Sequence, residues 1–472
     1  MALQPSKLIS PLLPGFIRSR WGTRIETALA QFDSILDGQS EKAIDQRSAL
    51  FAFAIRVLSA AIAFFSQVVL ARWMGSFQYG IFVWIWVAVV IVGSLSCFGF
   101  PSIVVRFIPK YRHSKDNNSL RGIILGSKLF AFFSASLFAL VGISGVYLLG
   151  DSLQSVYVIP IYLAAICLPM LALTETMDGI SRAFSWITLG LSPTFILRPL
   201  LILALMFGAV QTGYLANAQT AMTATIIATW LTGMIQLFML NNKLNTTLPR
   251  GTKRFNFKLW LTVAAPVFLI EGFFALLTNV DIMIVGFFLD PSKVAVYFAA
   301  VKVLALVHFV YFAVKAASAH RISQYYHSGE IEQYHAKIHE VTRWTFWPSL
   351  VFSGVLLLLG PYLLYMFGEE FAEGYPLLFV LVIGLVARSS IGPAETILTM
   401  SGEQNACAVI YGITLTVNIM LNIMLIPMFG LMGAAIGTTI ALIYEAFALY
   451  SAARRLLKIN IFVFGTTIEA GK

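Results

Sequence analysis

The sequence predicts an all-α polytopic membrane protein, with about twelve transmembrane helices in two pseudo-symmetric six-helix lobes. Three observations carry this. Of 472 residues, 58% are hydrophobic and only 11% charged, where a soluble domain has roughly 25% charged residues. The apolar residues fall in blocks of about 20, enough to cross a bilayer as helix, whereas barrel strands would alternate in segments of about 10. Finally, the two halves of the chain align on each other at a nearly fixed offset.

The elements follow in order. Residues 1–48 read as a cytoplasmic segment, without the apolar core and small-residue site of a signal peptide. In it Trp21, Ile25, Leu29, Phe32 and Leu36 recur at helical spacing among Arg18, Arg24, Glu26 and Asp33. That pattern fits an interfacial amphipathic helix or a solvated tail. Spans are expected at about 49–70, 80–98, 122–149, 156–176, 188–210 and 216–240. A second set follows at about 259–288, 292–318, 345–366, 375–398, 405–427 and 429–453. The N-lobe is then 49–240, a cytoplasmic inter-lobe loop 241–258, the C-lobe 259–455 and a cytoplasmic tail 456–472.

Lys and Arg set the orientation. They crowd the N-terminal segment, the loops after spans 2, 6 and 8, and the tail, while the opposite side holds Arg72 and Lys293. Both termini are therefore expected in the cytoplasm.

At an offset of 215 residues, 71–82 lies over 286–297, Arg106 over Arg321, Tyr111 over Tyr326 and Arg56 over Glu271. Later the offset becomes 220, and Glu175 lies over Glu395 and Gly213 over Gly433. Span 1 pairs with span 7, so both halves start on the same side and the repeats are parallel. Two such lobes enclose a cavity that rocking would expose to each side in turn.

Charges inside a bilayer are costly and usually face a cavity or a partner. Arg56, Arg198, Lys302 and Arg388 are deep in their spans, Lys315 lies near the cytoplasmic end of span 8, and Lys128 can snorkel from span 3. The first five are the expected binding residues for an anionic group such as a phosphate; for Arg198, Lys302 and Arg388 the alternative is a structural pair with Glu271, Asp281 or Glu395, and Lys315 either snorkels or guards the cavity mouth. Glu271, Asp281 and Arg72 are expected to couple or gate, and Arg56 with Glu271 offers a bridge between lobes. Pro193 and Pro199 flank Arg198 and should kink span 5; Gly392 and Pro393 should do so in span 10.

Other signals exclude more than they propose. Cys97, Cys167 and Cys407 lie in apolar stretches without disulfide or metal spacing. His308 reads as a packed histidine, and His320, His327, His335 and His339 as residues of a solvated loop or short helix at about 319–344. The net charge of +10 has no soluble basic face to serve nucleic acid. No cofactor motif and no phosphate-binding glycine loop of the Walker type occurs, so the chain should not hydrolyse ATP.

Leu70, Ala71, Arg72, Gly75, Tyr79, Gly80 and Phe82 resemble the "LAR-x-LG-x-x-x-YG-x-F" signature of the polysaccharide flippases, in the multidrug/oligosaccharidyl-lipid/polysaccharide exporter superfamily. Asp281 after an apolar run, then Tyr297 and Ala300 opening span 8, resemble a second feature of that family. The resemblance covers about residues 49–455. It implies a V-shaped pair of six-helix bundles that move a polyprenyl-diphosphate-linked oligosaccharide across a bacterial inner membrane. Coupling to H+ or Na+ and work beside a polysaccharide polymerase are implied as well. Twelve spans favour the O-antigen, capsule and exopolysaccharide branch over the lipid II flippases, which often have fourteen. A drug antiporter of the same superfamily would present more acid than base. A polytopic glycosyltransferase or polymerase would need a larger extramembrane loop.

Overall fold

In a bilayer an apolar block has no water to satisfy its amides, so it satisfies them internally, as helix. A computed structural model describes residues 41–149, 155–249 and 251–465, without the side chains of 41–54, 56, 149, 310, 312, 316, 317, 319, 320, 323 and 327. The chain divides into two compact units, residues 1–61 and 62–472. The expected amphipathic segment at 16–37 and the side chains of Arg56, His320 and His327 lie outside the described residues.

In order, the helices are α1 (Glu41–Ser96), α2 (Phe100–His113), α3 (Asn117–Leu149), α4 (Ser155–Ala183), α5 (Ile187–Ser192), α6 (Arg198–Gln211) and α7 (Ala218–Thr247). Then come α8 (Phe257–Phe288), α9 (Pro291–Ser328), α10 (Ile331–Tyr365), α11 (Tyr375–Ser389), α12 (Ala394–Met400), α13 (Gln404–Phe429) and α14 (Leu431–Leu456). No strand occurs among the described residues. Among the described residues eleven candidate spans are long and apolar enough to cross a membrane, and the first, Val57–His113, runs for 57 residues, enough for two crossings. The chain is a multi-pass membrane protein.

Three expected loops differ from expectation. The turn between spans 1 and 2 shrinks to one residue, Gly75, at φ 72° and ψ 165° inside α1. Tyr79 Oη donates to Gln67 Oε1 at 2.9 Å. In a straight helix residues 12 apart are separated by roughly 18 Å, so the chain must fold back between them. The loop after span 2 is instead the helix α2, because Phe100, Ile103, Val104, Phe107, Ile108 and Tyr111 form one buried stripe. The stretch at 319–344 is not a loop either. α9 runs on to Ser328, Gly329 turns at φ 75°, and α10 starts at Ile331.

Packing follows small residues. α2, α3 and α7 all pack on α4, and α11 and α13 both pack on α14. α1 and α9 approach closely at Gly80, where a Cβ would stand 1.8 Å from the Pro291 carbonyl oxygen. Gly80→Ala must therefore push the helices apart, and overpacking of this kind costs about 1–3 kcal/mol. A lower unfolding midpoint in detergent is expected, while an unchanged midpoint would show that this contact yields freely. Outward, Phe133, Leu137, Val141, Leu358 and Phe447 are all more than 60% exposed, as a lipid-facing belt requires.

Candidate functional site

Arg198 sits where the backbone loosens. Pro193 and Pro199 cannot donate, and the helix widens to a π turn over Pro193–Leu197, with the Arg198 N–H bonded to the Pro193 carbonyl. The expected kink is thus a π-bulge, a common device at functional sites. The Arg198 guanidinium lies over the Trp86 ring, 5.6 Å from its centroid. Asp178 and Glu175 on α4 share its electrostatic surroundings. Asp178 Oδ1 accepts from Gln236 Nε2 at 2.6 Å, and Glu175 Oε2 from Cys97 Sγ at 3.7 Å.

Lys302 on α9 is held in the same way. Its ammonium lies 4.7 Å from the Phe298 ring centroid, and Phe298 packs edge-on against Tyr79. Among the described residues neither Arg198 nor Lys302 has a carboxylate within ion-pair distance. Tyr79 and Trp86 are seven residues apart on α1, hence on one face. The two cations thus rest on aromatics linked to a single helix face.

Arg388 and Lys315 are placed differently. Arg388 ends α11 just before the break at Gly392 (φ 59°), and its Nη2 lies 3.1 Å from Glu445 Oε1 on α14, which is fully buried. The Tyr311 ring covers the other side at 5.3 Å. Lys315 Nζ donates to Glu395 Oε1 at 2.9 Å. Arg388 thus makes a structural pair of the kind foreseen, although with Glu445 and not with one of the expected acids, and the Lys315–Glu395 pair was not foreseen.

Of the coupling candidates, Glu271 pairs with the Ser102 hydroxyl. Asp281 is the centre of a buried hub. It accepts from Tyr297 Oη at 2.8 Å and Thr438 Oγ1 at 3.3 Å, and Asn418 Nδ2 donates on to Thr438 at 3.4 Å. The hub ties α8, α9, α13 and α14 together. Arg72 Nε and Nη2 donate to the Met366 and Tyr365 carbonyls, each at 2.7 Å, at the end of α10. Ser76 pairs with Glu370 beside it. A helix C-terminus has free carbonyls and partial negative charge, so a guanidinium suits it. Arg72→Ala is expected to raise the open population at this end of the bundle several-fold. Spin labels at Phe77 and Tyr362, both exposed, would report the distance, and an unchanged distribution would remove Arg72 from any gating role.

Sequence reasoning missed the aromatic supports Trp86, Phe298 and Tyr311, the acceptor Glu445, and the Asp178–Gln236 pair. One available signal was the embedded acid Glu445 itself, since a buried carboxylate calls for a cation.

The overall fold is that of known membrane transporters. An inward-facing multidrug resistance transporter of the MATE family superposes with a TM-score of 0.67 at 14% identity, over 86% of this chain and 94% of the other. The lipid II flippase MurJ, in an inward closed conformation, gives 0.68 at 14% identity, over 86% and 87%. A probable low-salt glycan biosynthesis flippase, Agl15, from Haloferax volcanii is 26% identical over 243 residues. That match spans 48% of this chain and about half, 49%, of the relative. The MatE family model matches residues 266–424, and the model described as "Polysaccharide biosynthesis protein" matches residues 46–325, more than half of the chain. The chain belongs to the polysaccharide biosynthesis protein family.

Proposed function

We propose that this protein flips a polyprenyl-diphosphate-linked oligosaccharide across a bacterial inner membrane by alternating access of its two six-helix lobes. The observation that carries the reading is the pair of membrane-embedded cations, Arg198 and Lys302, supported by aromatic faces and with no carboxylate within ion-pair distance among the described residues. A cation on an aromatic face keeps its charge without spending it on an acid, so it remains open to a diphosphate. The glycan flippase among the relatives and the MurJ fold support the same substrate class.

Arg388 and Lys315 hold the C-lobe in its resting state and become ligands only when Glu445 and Glu395 are released. Arg56, whose side chain lies outside the described residues, is proposed as a further ligand of the diphosphate, and Arg72 closes the far end. A proton or Na+ gradient supplies the work through Glu271 or the Asp281 hub. Membrane lipids surround the transporter, and the polymerase machinery receives its product. Both termini face the cytoplasm.

The test is genetic. Deleting the gene in its native host should abolish the surface polysaccharide and leave its lipid-linked precursor on the cytoplasmic leaflet, and the wild-type gene should reverse both. Normal polysaccharide with new sensitivity to cationic drugs would overturn the reading in favour of the antiporter.

A further inference from the structure

A second cationic feature lies at the end of the bundle where Lys and Arg concentrate, and flipping leaves it unused. α3 carries Arg121 and Lys128 seven residues apart, on one face. α7 carries Asn241 and Asn245 one turn apart. These four, with Lys253 and Leu248 from the segment leading to α8, line a cavity of about 150 Å³ that has no Asp or Glu in its wall.

Its donors are only partly used. Lys128, just 8% exposed, gives one hydrogen bond to Asn241 Oδ1 at 2.8 Å, and an ammonium has three to give. Arg121 Nη1 donates to the Pro249 carbonyl at 2.6 Å. Its Nε is buried without an acceptor among the described residues. The wall is also built closely. Arg254 N–H donates to the Asn118 carbonyl at 3.0 Å, and Gly122 leaves room for the Arg254 carbonyl, which a Cβ would meet at 1.8 Å. Three like charges gathered without a carboxylate call for an anion.

The surroundings say which anion. Along α7, Leu231, Met234 and Phe238 are exposed and lead at helical spacing into Asn241 and Asn245. On α3, Leu129, Phe133 and Leu137 are exposed in the same manner and lead up to Leu125, in the cavity wall. A polar, cationic cavity thus caps two apolar stripes, the profile of one lipid with its head above and its chains below. We propose that this cavity binds the headgroup phosphate of an anionic phospholipid on Arg121, Lys128 and Lys253. The bound lipid fastens the inter-lobe segment to α3. A free phosphate would meet the cations but leave the stripes uncovered.

The test uses the purified full chain in detergent, with unfolding midpoints followed as phosphatidylglycerol, phosphatidylcholine or inorganic phosphate is added. Phosphatidylglycerol alone should raise the midpoint. A Lys253→Gln variant, altered at an exposed position that leaves the fold intact, should need roughly fivefold more of it, since each basic group near such a surface contributes about that factor. Lys128→Gln with Lys253→Gln should need more still. Arg198→Gln, which alters the proposed substrate cavity, should respond like the wild type, so failure here is distinct from failure of the flipping assay. An equal response to inorganic phosphate, or an unchanged requirement in Lys253→Gln, overturns the proposal.

Discussion

Replacing Arg388 by alanine is expected to cost about 3–5 kcal/mol of stability. The guanidinium lies 3.1 Å from Glu445 Oε1, and Glu445 has no exposed surface. Removing the cation leaves a carboxylate in an apolar interior with no countercharge, the expensive half of a broken pair. Removing both charges at matched volume is different. Arg388→Met combined with Glu445→Leu should recover most of the loss, because the desolvation of two ions disappears with them. Unfolding midpoints of the wild type, the two single variants and the double variant form the cycle that measures the coupling. A double variant as unstable as the single would assign the loss to packing. A stable double variant with no flipping activity would assign Arg388 a second role, in handling substrate.

Complementation by Arg198→Ala or Lys302→Ala, at matched protein level, should fail to clear the precursor. A hydrogen bond to a charged group contributes about 1.5–3 kcal/mol, so each loss should slow flipping roughly tenfold or more, and the double variant further. Lys302 has no acid beside it among the described residues, so the unfolding midpoint of Lys302→Ala should barely move, whereas Arg198→Ala takes a nearby cation from the buried Asp178 and from Glu175 and should lower the midpoint somewhat. Arg388→Ala should show the reverse weighting, with stability lost first. A variant lacking both Arg198 and Lys302 that still flips at wild-type rate would rule out the aromatic-supported cations as the headgroup site.

Much of this fold was legible because a bilayer imposes a length on every apolar block. Spans 3 and 7 were expected at 122–149 and 259–288, and the helices run over Asn117–Leu149 and Phe257–Phe288. What escaped notice was amphipathic helix outside the apolar blocks. α2 carries Arg106, Lys110 and Arg112 on the face opposite its buried stripe. A count of charge reads such a segment as loop, while its 3–4 spacing reads as helix. The embedded charges were visible one by one, and their partners were not. Arg388 meets Glu445 across 57 residues of sequence, and Lys315 meets Glu395 across 80. Such distances are closed by tertiary packing, which no local pattern encodes. Glu175 and Glu395 occupy matching places in the repeat, yet one takes a cysteine and the other a lysine.

The segment between α7 and α8 runs only from Thr247 to Phe257, and Arg254 is already tied to Asn118. From that tie to the start of α8 the backbone can stretch roughly 10 Å. Beyond it, Trp260 Nε1 donates to Tyr111 Oη at 3.1 Å, and Phe268 stacks on Phe98. The first turns of α8 therefore ride with α2, α3 and the turn before α2, while its far end is bonded at Asp281 to α9 and α14 and at Met283 to Trp84 of α1. Pro266 lies inside the first anchorage, between Trp260 and Phe268, and removes one hydrogen bond from the helix. α8 is thus a bar clamped at both ends, with its weakened turn inside the first clamp. Any displacement of one clamp against the other must be carried as twist by the regular stretch from Phe268 to Asp281.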